Sequence, residues 1–91
     1  MDTVIKDPDA ELDYGFNWAD WLAEGESIVS VEWIVPDGLT NFDTEQTATQ
    51  AIVWLSGGVI DTSYLVTCRI TTANVPPRID DRTFKVKVKA R

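Results

Sequence analysis

Residues 51–72 read AIVWLSGGVIDTSYLVTCRITT, and this stretch decides the fold. It holds two strand-like runs joined by a turn that begins at Gly57-Gly58. In the second run Tyr64, Val66, Cys68 and Ile70 fall on one face, and Leu65, Thr67, Arg69 and Thr71 on the other. A period of two is what a half-buried strand requires, because successive side chains leave opposite faces of the pleat. β-Branched and aromatic residues dominate, which agrees with strand. In the first run Ala51, Val53 and Leu55 share a face, with Ile52 and Trp54 opposite. Val53, Leu55, Tyr64, Val66, Cys68 and Ile70 are the expected centre of the core.

The connection reads in two ways. Paired glycines tolerate the primed turns of a tight hairpin. Val59 to Ser63 instead ends in the turn-forming Asp61-Thr62-Ser63, which favours a longer crossing between sheets. In immunoglobulin-like and fibronectin-like sandwiches, a strand ending in Leu crosses to a strand that opens with Tyr. The Tyr hydroxyl then bonds back to the loop backbone. Leu55 followed by Tyr64 resembles a longer version of this corner. The expected fold is all-β: a small immunoglobulin-like or fibronectin-like β-sandwich, with one short helix near the N-terminus.

Working outward, residues 26–36 alternate again, with Val29, Val31, Trp33 and Val35 expected inside and Pro36-Asp37-Gly38 as a turn. Residues 17–25, NWADWLAEG, are the expected helix: Asn17 can cap, Asp20 can complete a capping box, and Gly25 can terminate. Its Trp18, Trp21 and Leu22 would form one apolar face, either a core plug or an exposed anchor for a partner. Residues 5–16 look extended, and residues 1–13 are expected to form an edge strand or an ordered arm, since Pro8 lacks an amide donor. Asp7, Asp9, Glu11 and Asp13 begin like a calcium loop. Leu12 stands where that loop needs glycine, and Trp18 where it needs its last acid, so a solvated edge is the better reading. Residues 40–50 are polar without a period, with Phe42 as lone anchor, and read as a flexible loop. Residues 73–82, ANVPPRIDDR, read as a stiff loop. Residues 83–91 alternate, with Phe84, Val86 and Val88 inward and Lys85, Lys87 and Lys89 outward, as on a guarded edge strand.

Ninety-one residues suffice for a single β-sandwich domain, 1–91, with 44% apolar residues to fill a modest core. Four tryptophans exceed what so small a core holds easily, which points some of them toward an interface. The net charge of −7 is unevenly spread. Residues 1–26 carry eight acids and one base, and residues 76–91 carry six bases and two acids. The acidic total argues against nucleic acid and anionic membranes as partners. The gradient lets an acidic end meet a basic one, within a molecule or between copies. The longest apolar run, Ala51–Leu55, is far too short to span a bilayer, and the acidic N-terminus lacks a signal-peptide pattern.

The chain has no histidine and one cysteine, which removes Ser-His-Asp and Cys-His nucleophiles, a disulfide and a zinc site. Neither GxGxxG nor a phosphate loop occurs. No carboxylate pair is selected by spacing. No catalytic, cofactor-binding or metal-binding residue is therefore assigned, no cofactor is expected, and an enzyme is not expected. Physics alone reaches a small acidic sandwich that binds other protein.

Three stretches together resemble a family of small tailed-phage virion proteins, the tail-fibre adaptors. They are KDPDAELDYGFNWADWL with EGESIVSVEW, then IVWLSGG, then SYLVTCRITT with DDRTFKVKV. The double-tryptophan WADWL and the WLSGG turn are the most specific parts. ANVPPRIDD departs from the short glycine-containing turn expected there. The resemblance implies a non-enzymatic virion protein, assembled in the host cytoplasm, that joins tail or collar proteins to fibres in several symmetric copies. Trp18, Trp21, Phe42, Trp54, Arg78 and Arg82 are the candidate partner contacts by type and position. Two other functions fit the same fold. One is a capsid decoration or head-completion protein, and the other a carbohydrate-binding module with Trp18, Trp21 or Trp54 as stacking platform.

Overall fold

The alternating runs do form strands. A computed structural model of the chain describes residues 2–90. Their strands are β1 (Asp2–Lys6), β2 (Leu12–Asn17), β3 (Ile28–Ile34), β4 (Leu39–Gln46), β5 (Gln50–Gly57), β6 (Ser63–Thr72) and β7 (Ile79–Val88). A four-stranded sheet runs β1-β7-β6-β3, and a three-stranded sheet runs β2-β5-β4. β1 lies parallel to β7; the other pairings are antiparallel. Met1 and Arg91, the ends of the expected arm and final strand, lie outside the described residues.

Alternation places the core between the sheets. Val53, Leu55, Tyr64, Val66, Cys68 and Ile70 are all buried, as their spacing predicts, and Phe84, Val86 and Val88 join them. One cluster centres on Val53, Leu55, Val66 and Val86, a second on Trp18, Ala51, Cys68 and Ile70. Phe16 and Trp33 pack against both and stack on each other with ring centroids 6.2 Å apart.

β5 and β6 belong to different sheets, so the connection is the crossing and not the hairpin. The Tyr64 hydroxyl accepts a hydrogen bond from Val59 N at 2.9 Å, which is the expected tyrosine corner. Asp61 N donates to Val88 O at 2.7 Å, and Val88 N to Thr62 O at 3.0 Å, so the crossing is also tied to the end of β7. Gly38 lies under the tyrosine ring at φ +104°, where a Cβ would sit 2.7 Å from the hydroxyl oxygen. Only glycine suits both the backbone and the space.

Four expectations need correction. Residues 17–25 hold no helix. Asn17 Oδ1 does accept from Ala19 N (2.8 Å), and Trp21 N and Leu22 N donate to Trp18 O, but the backbone makes this one turn only. The segment is too short to repay helix nucleation, and burying Trp18 fixes its path instead. Residues 40–50 are not a loop: β4 occupies most of them. Its positions after Leu39 are all exposed, so no apolar alternation was needed and none marks it. The extended run 5–16 is two strands in different sheets, split where Asp9 N bonds to Asp7 Oδ1 and Ala10 N to Asp7 O. Finally, β7 begins at Ile79 and is covered by β1, so its lysines do not guard an outer strand.

A bulge corrects one inward residue. Ile28 pairs with Thr72 and Ser30 with Thr71, leaving Val29 extra. An extra residue shifts the alternation by one. Ile28 is therefore buried and Val29 exposed, while Val31 and Trp33 remain inward and half-buried.

Replacing Tyr64 by Phe strands the Val59 amide inside the crossing. We expect a loss of about 1–2 kcal/mol in denaturant unfolding, and no loss would show that the corner bond contributes nothing.

Candidate docking surfaces

Four of the six candidate contact residues come together at one end of the sandwich, in two stacks of arginine on tryptophan. Trp18 is fully buried, and its Nε1 donates to Asp80 Oδ2 at 3.0 Å. Arg82 lies over the Trp18 ring, 4.6 Å from its centroid, and donates to Asn17 O at 3.1 Å. Trp18 is the core plug and presents no surface: its indole is needed to close the sandwich beneath β7.

In the second stack Arg78 lies 4.1 Å from the centroid of the Trp21 ring. Arg78 Nε donates to Glu26 Oε2 at 2.9 Å, and Nη2 makes a closer contact with Oε1. Glu26 is buried, yet its oxygens also accept from Ala23 N (2.9 Å) and Asn74 Nδ2 (2.5 Å). The Arg78 hydrogen bonds hold its carboxyl at about 2, well below the ordinary 4.5. Glu26 thus pins the 18–25 turn to the loop between β6 and β7. The sequence reading did not single out Glu26, because nothing local distinguishes it from the other acids around it.

The remaining two candidates sit together elsewhere. Phe42 and Trp54 meet at 6.3 Å on the outer face of the smaller sheet. Phe42 is the extra residue of a second bulge, between Asn41 and Asp43 on β4, and is exposed. Trp54 is half-buried, with Asp13 opposite it on β2 and Asp43 opposite it on β4. Glu45 lies across from the neighbouring Ile52, so this apolar strip has an acidic border.

The outer face of the larger sheet differs. Arg69 holds Asp81 through two hydrogen bonds (2.9 and 3.0 Å) and reaches Glu32 at 3.8 Å, so its charge is met. Arg69 in turn draws the Asp81 carboxyl below its ordinary value. Lys85 and Lys87 project from the same face beside Leu65 and Ile5, and neither makes a salt bridge among the described residues.

The loops at the two ends of β6 carry exposed apolar groups. Val59 and Ile60 precede β6, Val75 follows it in the 73–78 loop, and Ile79 opens β7 beside that loop; Val75 is 98% exposed. β6 has ten residues, so these groups are about 30 Å apart along a molecule measuring 45 × 23 × 18 Å. Between the open edges of β3 and β4 lies a cleft of about 380 Å³, lined by Val31 and Trp33 on one side and Asn41, Thr44 and Gln46 on the other.

A family model described as Podophage GP4 fiber-tail adaptor protein gp77 matches residues 6–87. The chain belongs to this family. The match spans all seven strands in whole or part, including the departing loop at 73–78 and the tyrosine corner. No curated protein matches the chain. Membership makes it a virion component of the fiber-tail adaptor kind, and the resemblance carried by WADWL and WLSGG led to the same family.

Other chemistry-bearing groups are occupied by the fold of this adaptor. Burial pushes the Cys68 thiol up to about 12, so it stays protonated among Ala51, Ile70 and Trp33. Lys6, which the sequence reading passed over, is fully buried and donates to Asp7 O (2.9 Å) and Gly57 O (2.6 Å). Desolvation draws its ammonium below the ordinary lysine value. It joins the start of the β1–β2 crossing to the end of β5.

Glu26 gives a pH dependence. Its folded value lies below its unfolded one, so its stabilisation is complete above pH 4.5 and is lost as pH falls toward 2. Tryptophan fluorescence during acid titration should show a shallower stability loss in that window for Glu26→Gln than for the wild type. Equal slopes would remove the Glu26–Arg78 pair as the cause. Trp18→Ala should cost about 3–5 kcal/mol as a core cavity, whereas Phe42→Ser should cost no more than about 0.5 kcal/mol, as at other surface sites. Chemical denaturation of the two variants measures both.

Proposed function

We propose that this chain is a non-enzymatic structural adaptor that joins a phage tail to its fibres through protein–protein contacts, in several symmetric copies. The observation that carries the reading is the pair of exposed apolar loop tips at opposite ends of β6. An adaptor must hold two different partners at once, and an elongated sandwich with an apolar group at each end suits that task. The loop holding Val75 is anchored at its base: Thr72 N donates to Arg78 O (2.9 Å), Ala73 N to Ser27 O (2.9 Å), and Arg78 grips Glu26. Its tip is therefore presented with little ordering left to lose on binding, which favours affinity.

The carbohydrate reading has weaker support. Trp18 is buried and one face of the Trp21 ring carries Arg78, which leaves half-buried Trp54 as the remaining stacking platform of the three. A head-completion role shares the fold but not the family description.

The test uses the two tips separately. Val59→Ser with Ile60→Ser should weaken capture of one partner, fibre or tail, while Val75→Asp with Ile79→Ser weakens capture of the other. Both variants should melt like the wild type. Loss of about 1 kcal/mol or more per tip is expected from exposed valine and isoleucine that become buried. Pull-down against purified tails and purified fibres reads the outcome. Tip variants that both bind both partners as the wild type does would sink the assignment of the poles.

A further inference from the structure

The two outer faces of the sandwich match each other. On the smaller sheet, Asp13 and Asp43 flank Trp54 from the strands on either side. On the larger sheet, Lys85 lies between Thr3 and Leu65, and Lys87 between Ile5 and Ser63. The acids and the lysines make no salt bridge among the described residues, although Arg69, Arg78 and Arg82 are all engaged with acids, carbonyls or rings. Each face also carries partly exposed apolar surface, Trp54 with Phe42 on one and Leu65 with Ile5 on the other.

The two charged groups are back to back. Tyr14 of β2 and Phe84 of β7 meet across the core with ring centroids 5.4 Å apart. Asp13 precedes Tyr14 and Lys85 follows Phe84, and alternation sends each to the outside of its own sheet. The acid and the base thus leave opposite faces at the same level. A shift of one copy through the thickness of the sandwich, without sliding along it, brings Asp13 of one molecule over Lys85 of the next. Asp13 and Asp43 stand about 10 Å apart, two strand spacings, and Lys85 and Lys87 about 7 Å apart, two residues along a strand. The first separation runs across the strands and the second along one, so the matched contact is Asp13 with Lys85, and Asp43 and Lys87 widen the two opposed charged fields.

We propose that a second copy of this chain docks here, with its Lys85/Lys87 face on the Asp13–Trp54–Asp43 face of its neighbour. The two surfaces differ, so the contact is head-to-tail, and a rotation between successive copies in addition to the shift closes it into a ring. This rests on the adaptor reading for its several copies, and adds which surfaces join them. It leaves both loop tips at the ends of β6 uncovered for other virion proteins. It also uses the acidic surplus of residues 1–26 and the basic surplus of residues 76–91, only part of which meets within one molecule.

Charge reversal tests the proposal. Sedimentation velocity and native mass spectrometry of the wild type should show multimers that weaken as salt rises from about 0.05 to 0.5 M. Lys85→Glu with Lys87→Glu makes both faces acidic, and Asp13→Lys with Asp43→Lys makes both basic. Each double variant alone should associate at least tenfold more weakly, with an unchanged circular dichroism spectrum and melting temperature. An equimolar mixture of the two should assemble again, because each interface then pairs acid with base. A wild type that stays monomeric at millimolar concentration overturns the proposal, as does a mixture that fails to assemble while both variants fold. If the monomeric wild type still captures tails and fibres, the adaptor function stands and only the self-docking falls. If the reversals abolish that capture instead, the faces belong to a different virion protein and the proposal is equally overturned.

Discussion

The hydrogen bond from the Val59 amide to the Tyr64 hydroxyl holds the place where the chain leaves one sheet and enters the other. β5 ends in the smaller sheet, β6 begins in the larger, and the crossing must bring them into register face to face. Once it does, Val53 and Leu55 lie over Val66, Val86 and Val88, and the main cluster closes. Gly38 makes room beneath the ring, and Gly58 does so against Val88. The outer-face positions follow from the same placement, because a residue between two inward neighbours can only point out.

The charged groups divide into two populations. Arg78, Arg82 and Arg69 are committed to the fold, on tryptophan rings or carboxylates, and they tie the irregular end of the sandwich together. Arginine suits this because its flat guanidinium stacks and bonds in two directions at once. The lysines of β7 and the acids beside Trp54 are left at the surface without salt bridges among the described residues. This division separates charges met within the molecule from charges left facing solvent. A residue type alone does not make it: Arg78 and Arg82 look like contact residues in sequence, and each also lies over a tryptophan ring and bonds within the fold.

The fold was legible where burial imposes a period. Residues 51–72 alternate because one face meets the core, and each residue read as inward there is buried; Thr72, also buried, was not among them. β4 was not legible because it faces water on nearly every position, so its strand state comes from pairing with β5 and leaves no apolar pattern. The bulge at Val29 was equally silent, since one extra residue reverses the alternation without changing composition. The partner-contact candidates were legible only as types. Their division into a stacked corner around buried Trp18 and an exposed strip depends on the crossing from β1 to β2 and on where β7 begins.

The sequence by itself determined that this protein is all-β and favoured a sandwich with a tyrosine corner, and the same residues resemble the adaptor family. Those features depend on local spacing: a period of two, a Leu–Gly-Gly–Tyr connection, and short motifs. Only the tertiary structure decided which tryptophans are spent inside, that Glu26 and Lys6 are buried with partners, and that Asp13 and Lys85 end up back to back. Such pairings join residues far apart in the chain, and a charge or an indole carries no mark of the distant strand it will meet.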